Sequence, residues 1–178
     1  MASDLVVNYP VVELENLILV DWYNEWSVLK PSDNNSISGI TIGSQHNQTN
    51  YFNGYIDGVK IANNKALYSV LQPQNNPINN NNLVLNITSN TTNGDTTFID
   101  TSLSAHNITV YGSTQHSTTQ VISGSSSMYF NGSGDYLELA DSDDWNFGTN
   151  PFTIQFWIYP ETISSGSGSQ MIINRAKW

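Results

Sequence analysis

The sequence predicts an all-β sandwich, and three observations carry that prediction. Helix signals are nearly absent, short apolar or alternating runs recur along the chain, and clusters of Gly, Asn, Asp, Ser and Pro separate them. A turn or two around 64–70 (NKALYSV), ahead of Pro73, is the one stretch with helical character. At 178 residues the chain has the length of one domain, or of one domain with an arm. That length buries roughly 70% of the unfolded surface, enough for a core without staples.

In chain order the strand candidates are 5–14 (LVVNYPVVEL), 16–22 (NLILVDW), 25–30 (EWSVLK), 38–44 (SGITIGS) and 51–62 (YFNGYIDGVKIA). Next come 82–88 (NLVLNIT), 108–112 (ITVYG), 120–124 (QVISG), 126–132 (SSMYFNG), 135–140 (DYLELA), 151–160 (PFTIQFWIYP) and 170–176 (QMIINRA). Pro10 offers no amide donor, so the first candidate belongs at an edge or is broken there. PFTIQFWIYP has the strongest pattern. Phe152, Ile154, Phe156 and Ile158 share a core face, and Thr153, Gln155, Trp157 and Tyr159 share the other. After DYLELA, the run Asp141-Ser142-Asp143-Asp144 predicts an Asx-type turn that tucks Trp145 under the sheet rim. Asp57, set between apolar strand positions, reads as a buried cap for backbone amides.

Composition removes several classes of function. There is no cysteine, hence no disulfide or thiolate metal site. The longest apolar runs, LILV and FTIQFWIY, fall short of the ~20 residues that span a bilayer, so no membrane insertion is expected. The opening MASDLVVNYP lacks the basic and apolar regions of a cleaved signal. Net charge is −10, with only Lys30, Lys60, Lys65, Arg175 and Lys177 positive, which argues against nucleic acid. Asn occurs 24 times, so the six N-x-[ST] matches are close to the about five expected by chance and are not read as glycosylation sites. QPQNNPINNNN at 72–82 reads as a linker or exposed connection.

The tetrapeptide YFNG occurs at 51–54 and again at 129–132. Its two contexts, YIDGVKI and SGDYLEL, argue against a duplication. They share a local need instead, an apolar strand residue followed by an Asn-Gly turn.

From residue 83 onward the order of motifs resembles the opening half of a laminin G-like, concanavalin A-like jelly roll. These motifs are LVLNIT, DTSLSAHNITVYG, SSSMYFNGSGDYLEL, ADSDDWNFGTNP and FTIQFWIYP. The family's closing half, a strand like L-x-I-G followed by F-N-G-x-I-D-x-V-(K/R)-I, is matched by GITIGSQHNQTNYFNGYIDGVKI. Here the closing half comes first. The resemblance therefore implies a jelly roll that is circularly permuted, truncated (the end of one domain and the start of the next), or completed by a neighbouring chain. The family's middle strands find no match beyond DWYNEWSVLK at 21–30, and the sequence stops on a strand at MIINRAKW, which points to a longer polypeptide. The expected organisation is a docking segment at 1–36, the closing half at 37–74, an Asn-rich linker at 75–82 and the opening half at 83–178.

The superfold also hosts glucanases, which resemble one another through an E-x-D-x-x-E strand. Neither Glu13/Glu15 nor Glu138/Asp141 completes it, and His46, His106 and His116 show no ligand or triad spacing, so no enzyme is expected. His106 falls where the family has a structural loop histidine. Laminin G-like domains often hold Ca²⁺ at the rim, which makes Asp135, Asp141, Asp143 and Asp144 the candidate ligands. Among the aromatics, which include Trp22 and Trp26, the residues expected to stack on a glycan are Trp145, Trp157 and Tyr159. Together these readings imply a non-enzymatic virion protein, a phage tail fibre, capsid fibre or decoration protein. It would assemble in a host cytoplasm, contact other virion proteins and copies of itself, and adhere to host-surface glycans. The alternative is a bacterial secreted or surface carbohydrate-binding module, and a glucanase-like hydrolase comes third.

Overall fold

A computed structural model describes residues 17–22, 37–44, 50–63, 82–147, 152–162 and 170–177. The strands are β1 (Leu17–Trp22), β2 (Ile37–Ile42), β3 (Asn53–Asn63), β4 (Leu83–Ile87) and β5 (Ile108–Tyr111). They continue with β6 (Gln115–Ser117), β7 (Ser127–Asn131), β8 (Tyr136–Leu139), β9 (Phe152–Pro160) and β10 (Ile173–Lys177). The fold is all-β, with two antiparallel sheets. One runs β1-β9-β3-β7-β6, with β4 also on β3, and the other runs β10-β2-β8-β5.

The apolar alternation sets which faces meet. Ile40, Ile42, Leu137 and Leu139 of the four-stranded sheet pack against Ile56, Val59, Ile61, Leu85, Ile87, Met128 and Phe130 of the other. Phe152 and Phe156 join this core from β9, so the two faces read from PFTIQFWIYP are the ones formed. Each such side chain contributes roughly 1.5–3 kcal/mol when fully buried.

Strands from 37–63 do not form a unit of their own. β2 lies between β8 and β10, and β3 lies between β9 and the pair β7 and β4. Residues 17–22, inside the segment expected to dock, pair with β9 in the larger sheet. The two YFNG stretches are neighbours in that sheet, with Asn53 opposite Asn131 and Gly54 opposite Phe130. Phe52 and Phe130 are both buried, with ring centroids 6.2 Å apart. The expected Asn-Gly turn forms only in the second copy, where Asn131 Oδ1 accepts from Ser133 N at 2.7 Å. In the first copy Gly54 is within β3, at φ +146, and a Cβ there would lie 2.3 Å from the Tyr159 carbonyl oxygen. Glycine is needed at that place for close approach of β9.

One strand expectation fails, and one strand forms that the sequence pattern does not announce. QVISG does not form a strand: residues 121–125 are exposed and follow bends. Instead QHS becomes β6, whose His116 and Ser117 are buried without an apolar residue in the strand. Hydrophobic periodicity cannot register a strand of that kind. The candidates at 5–14, 25–30 and 64–70, together with His46, Glu13, Glu15, Trp26 and nearly all of the 75–82 linker, lie outside the described residues.

Candidate functional site

The sequence Asp57-Gly58 creates a fork in the larger sheet. Against β9, Asp57 pairs with Trp157 but Lys60 pairs with Gln155, so β3 carries one extra residue. Gly58 takes it up in the left-handed region at φ +62, the conformation of a glycine bulge. On the other edge of β3, pairing with β7 ends at Ile56 and pairing with β4 begins at Val59. The sheet splits at the bulge.

Residues 118–125 close the fork. Asp57 is buried, and its Oδ2 accepts from Ser123 N at 2.9 Å and Ile122 N at 3.3 Å. This is the amide-capping role read from the sequence. Burial pushes its carboxyl above the usual carboxylate range, and the amides of Ser123, Ile122 and Gly58 pull the other way without cancelling it. Ser125 Oγ anchors the loop's far side by donating to Asn90 Oδ1 at 3.0 Å.

A buried hydroxyl chain supports this side of the sheet. Thr91 N donates to Ser126 Oγ at 3.1 Å, Ser126 and Ser89 hydroxyls lie 3.2 Å apart, and Ser89 Oγ bonds to His116 Nδ1. His116 Nε2 donates to the Thr97 carbonyl at 2.9 Å, and the ring stacks on Phe98. The imidazole is thus oriented by a carbonyl instead of a carboxylate, which separates this pair from a Ser-His-Asp arrangement.

The closed fork leaves two depressions on the outer face. The first, about 190 Å³, is lined by Tyr55, Gln120, Val121, Ile122, Trp157 and Tyr159, among others. The second, about 240 Å³, is lined by Lys60, Thr88, Asn90, Ser123, Gln155 and Trp157, among others. Asp57 and Trp157 border both. Register explains the company. Tyr55 lies opposite both Tyr159 and Tyr129, Asp57 opposite Trp157, and Lys60 opposite both Gln155 and Asn86, all on one face. Tyr55 donates its hydroxyl to Glu161 Oε1 at 3.2 Å, and burial, with Glu161 beside it, raises its pKa above the ordinary tyrosine value. Half-buried Trp157 and exposed Tyr159 offer apolar ring surface, while Gln120, Gln155 and Asn90 offer amides. Such a mixture suits a ligand with both hydroxyls and C–H faces.

Of the three aromatics expected to meet a glycan, Trp157 and Tyr159 line this face and Trp145 does not. Trp145 is fully buried, packs against His106 and donates its indole N–H to the Ala140 carbonyl at 3.0 Å. It is a core residue, as the tucked-under-the-rim reading required, and has no free ring face.

Nor does the structure bring the four candidate calcium ligands together. Asp135 stands before β8 and the other three follow it, so a strand of four residues, about 13 Å at ~3.3 Å per residue, separates them. Asp135 is fully buried, and its two oxygens accept from Ser113 N at 2.6 Å and Asn131 N at 2.9 Å. Asp144 accepts from His106 Nε2 at 2.9 Å, and Asp141 is exposed. Asp143 opens a 3₁₀ turn, Asp143–Trp145, capped by Ser142. Among the described residues, no three His, Asp or Glu side chains converge as a metal site. His106 is a bonded loop residue, as its position implied.

Sequence reading placed Gln155, Trp157 and Tyr159 on one face through their alternation, but missed Gln120, Ile122 and Asn90. Their sole signal was the Asp-Gly bulge, which marks where a sheet opens without saying which loop fills it. No family model, no curated protein and no solved structure matches the chain.

Proposed function

We propose that this chain is a non-enzymatic glycan-adhesion module, built on a permuted laminin G-like jelly roll and carried on a virion surface. The observation that carries the adhesion reading is the forked outer face, where Trp157 and Tyr159 stand among Gln120, Gln155 and Asn90. Aromatic rings stack on the C–H faces of pyranoses while amides bond their hydroxyls. Glycosidases need two carboxylates about 5–9.5 Å apart across the scissile bond. The described lining of the two depressions contributes one carboxylate, Asp57, which is already bonded to two amides. The permuted jelly roll is supported by the way β2 and β3 are inserted among strands from the second half of the chain. The virion assignment rests on the cysteine-free, lysine-poor, Asn-rich composition.

The test is a glycan array probed with the chain and with Trp157→Ala. The reading expects glycans to bind and Trp157→Ala to weaken them at least tenfold while the chain still unfolds cooperatively. A chain that retains no glycan, or a variant that binds as well as the parent, sinks it.

A further inference from the structure

We infer that the two depressions are unlike subsites for adjacent sugar residues of one neutral glycan: the first takes a residue bearing a methyl group, deoxy or N-acetylated, and the second a plain hexose. The inference rests on the adhesion reading and adds the ligand's chemistry to it. Each depression, about 190 and about 240 Å³, is smaller than the roughly 300 Å³ at which drug-sized sites begin, so each suits a single ring. They share Asp57 and Trp157, so rings bound in both are neighbours along a chain.

Their walls differ in kind. Val121 and Ile122 form an apolar lip on the first, with Tyr55, Trp157 and Tyr159 also lining it, and Ile122 is 53% exposed. Desolvating a hydroxyl there costs free energy, whereas a methyl group gains contact. Lys60, Thr88, Asn90, Ser123 and Gln155 supply the second with donors and acceptors suited to several hydroxyls. A carboxylate on the ligand would meet Asp57 between the subsites and a chain of net charge −10 around it, which favours a neutral glycan.

Calorimetric or NMR titration decides the matter with four probes: methyl N-acetylglucosaminide, methyl fucoside, methyl galactoside and N-acetyllactosamine. The variants are Ile122→Ser and Gln155→Ala. Ile122 is exposed and the hydrogen bond that its backbone N–H donates to Asp57 survives substitution, so folding is not at stake. The mixed disaccharide should bind at least ten times more tightly than either of its parts. Ile122→Ser should weaken the N-acetylated and deoxy probes about tenfold and leave the galactoside unchanged, and Gln155→Ala should do the reverse. If both variants weaken all probes alike, the site is undivided and this inference fails while the adhesion reading stands. If no probe binds and the array is also blank, both fall. If the array is positive but only acidic glycans bind, the neutral-ligand inference alone is overturned.

Discussion

Removing the Asp100 carboxylate should be among the most damaging single changes in the described fold. Asp100 is buried in the loop DTSLSAH, and Oδ1 accepts from Asn86 N and Ser102 N, both at 2.9 Å. Oδ2 accepts from Ser102 Oγ and His106 N, also at 2.9 Å. One side chain thus satisfies three backbone amides and ties the loop to β4. Asp100→Ala leaves those amides without an acceptor, at about 1–3 kcal/mol each when buried. Asn86 and His106 are half-buried, which puts the total at about 3–5 kcal/mol, against the ~5–15 kcal/mol of a typical domain. Asp100→Asn should be milder. Its remaining oxygen can serve Asn86 and Ser102, and Ser102 Oγ keeps the Val84 carbonyl at 3.2 Å, so chiefly the His106 amide is lost, at about 1–3 kcal/mol. Denaturant unfolding followed by tryptophan fluorescence measures both, provided the slope is unchanged. An alanine variant within about 1 kcal/mol of the parent, or an asparagine variant as costly as alanine, would refute the reasoning.

Two further changes probe the fork and the paired YFNG strands. Because burial raises the folded pKa of Asp57, its contribution to stability is complete below the ordinary carboxylate value of ~3.9 and is lost as pH rises through the elevated folded value. Asp57→Asn removes that dependence, so parent-minus-variant stability should fall as pH rises above about 4. A difference that stays flat or rises would contradict the assignment. Gly54→Ala must place a Cβ 2.3 Å from the Tyr159 carbonyl at a backbone angle alanine resists, and should cost about 1–3 kcal/mol or more by thermal unfolding. Stability equal to the parent would mean that β3 and β9 are not in this register.

What the sequence made legible follows from local physics. Alternation in PFTIQFWIYP named both faces of β9 because a strand's side chains have a period of two, whatever its neighbours. Asp57 was readable as a cap because an acid between apolar strand positions needs donors. Its donors, Ile122 and Ser123, were not readable, since they lie more than sixty residues away in a segment whose Val-Ile pair imitates a strand. β6 escaped for the converse reason: His116 and Ser117 are buried by hydrogen bonds and stacking, which leave no apolar trace. The acidic run at 141–144 has the composition of a cation site, but His106, distant in sequence, takes Asp144 as its partner. Trp145 and Trp157 look alike as letters. The turn capped by Ser142 sends one into the core, while β9 holds the other at the surface.

The adhesion account is tested most directly by titrating the ¹⁵N-labelled chain with a neutral glycan that the array selects. It predicts that the largest shift changes fall on the amides of Asp57, Gly58, Ser123 and Gly124 and on the Trp157 indole N–H. Changes centred instead on the loop carrying Ile99 and Leu103, whose side chains are 61% and 74% exposed, would contradict it, as would a spectrum that does not move.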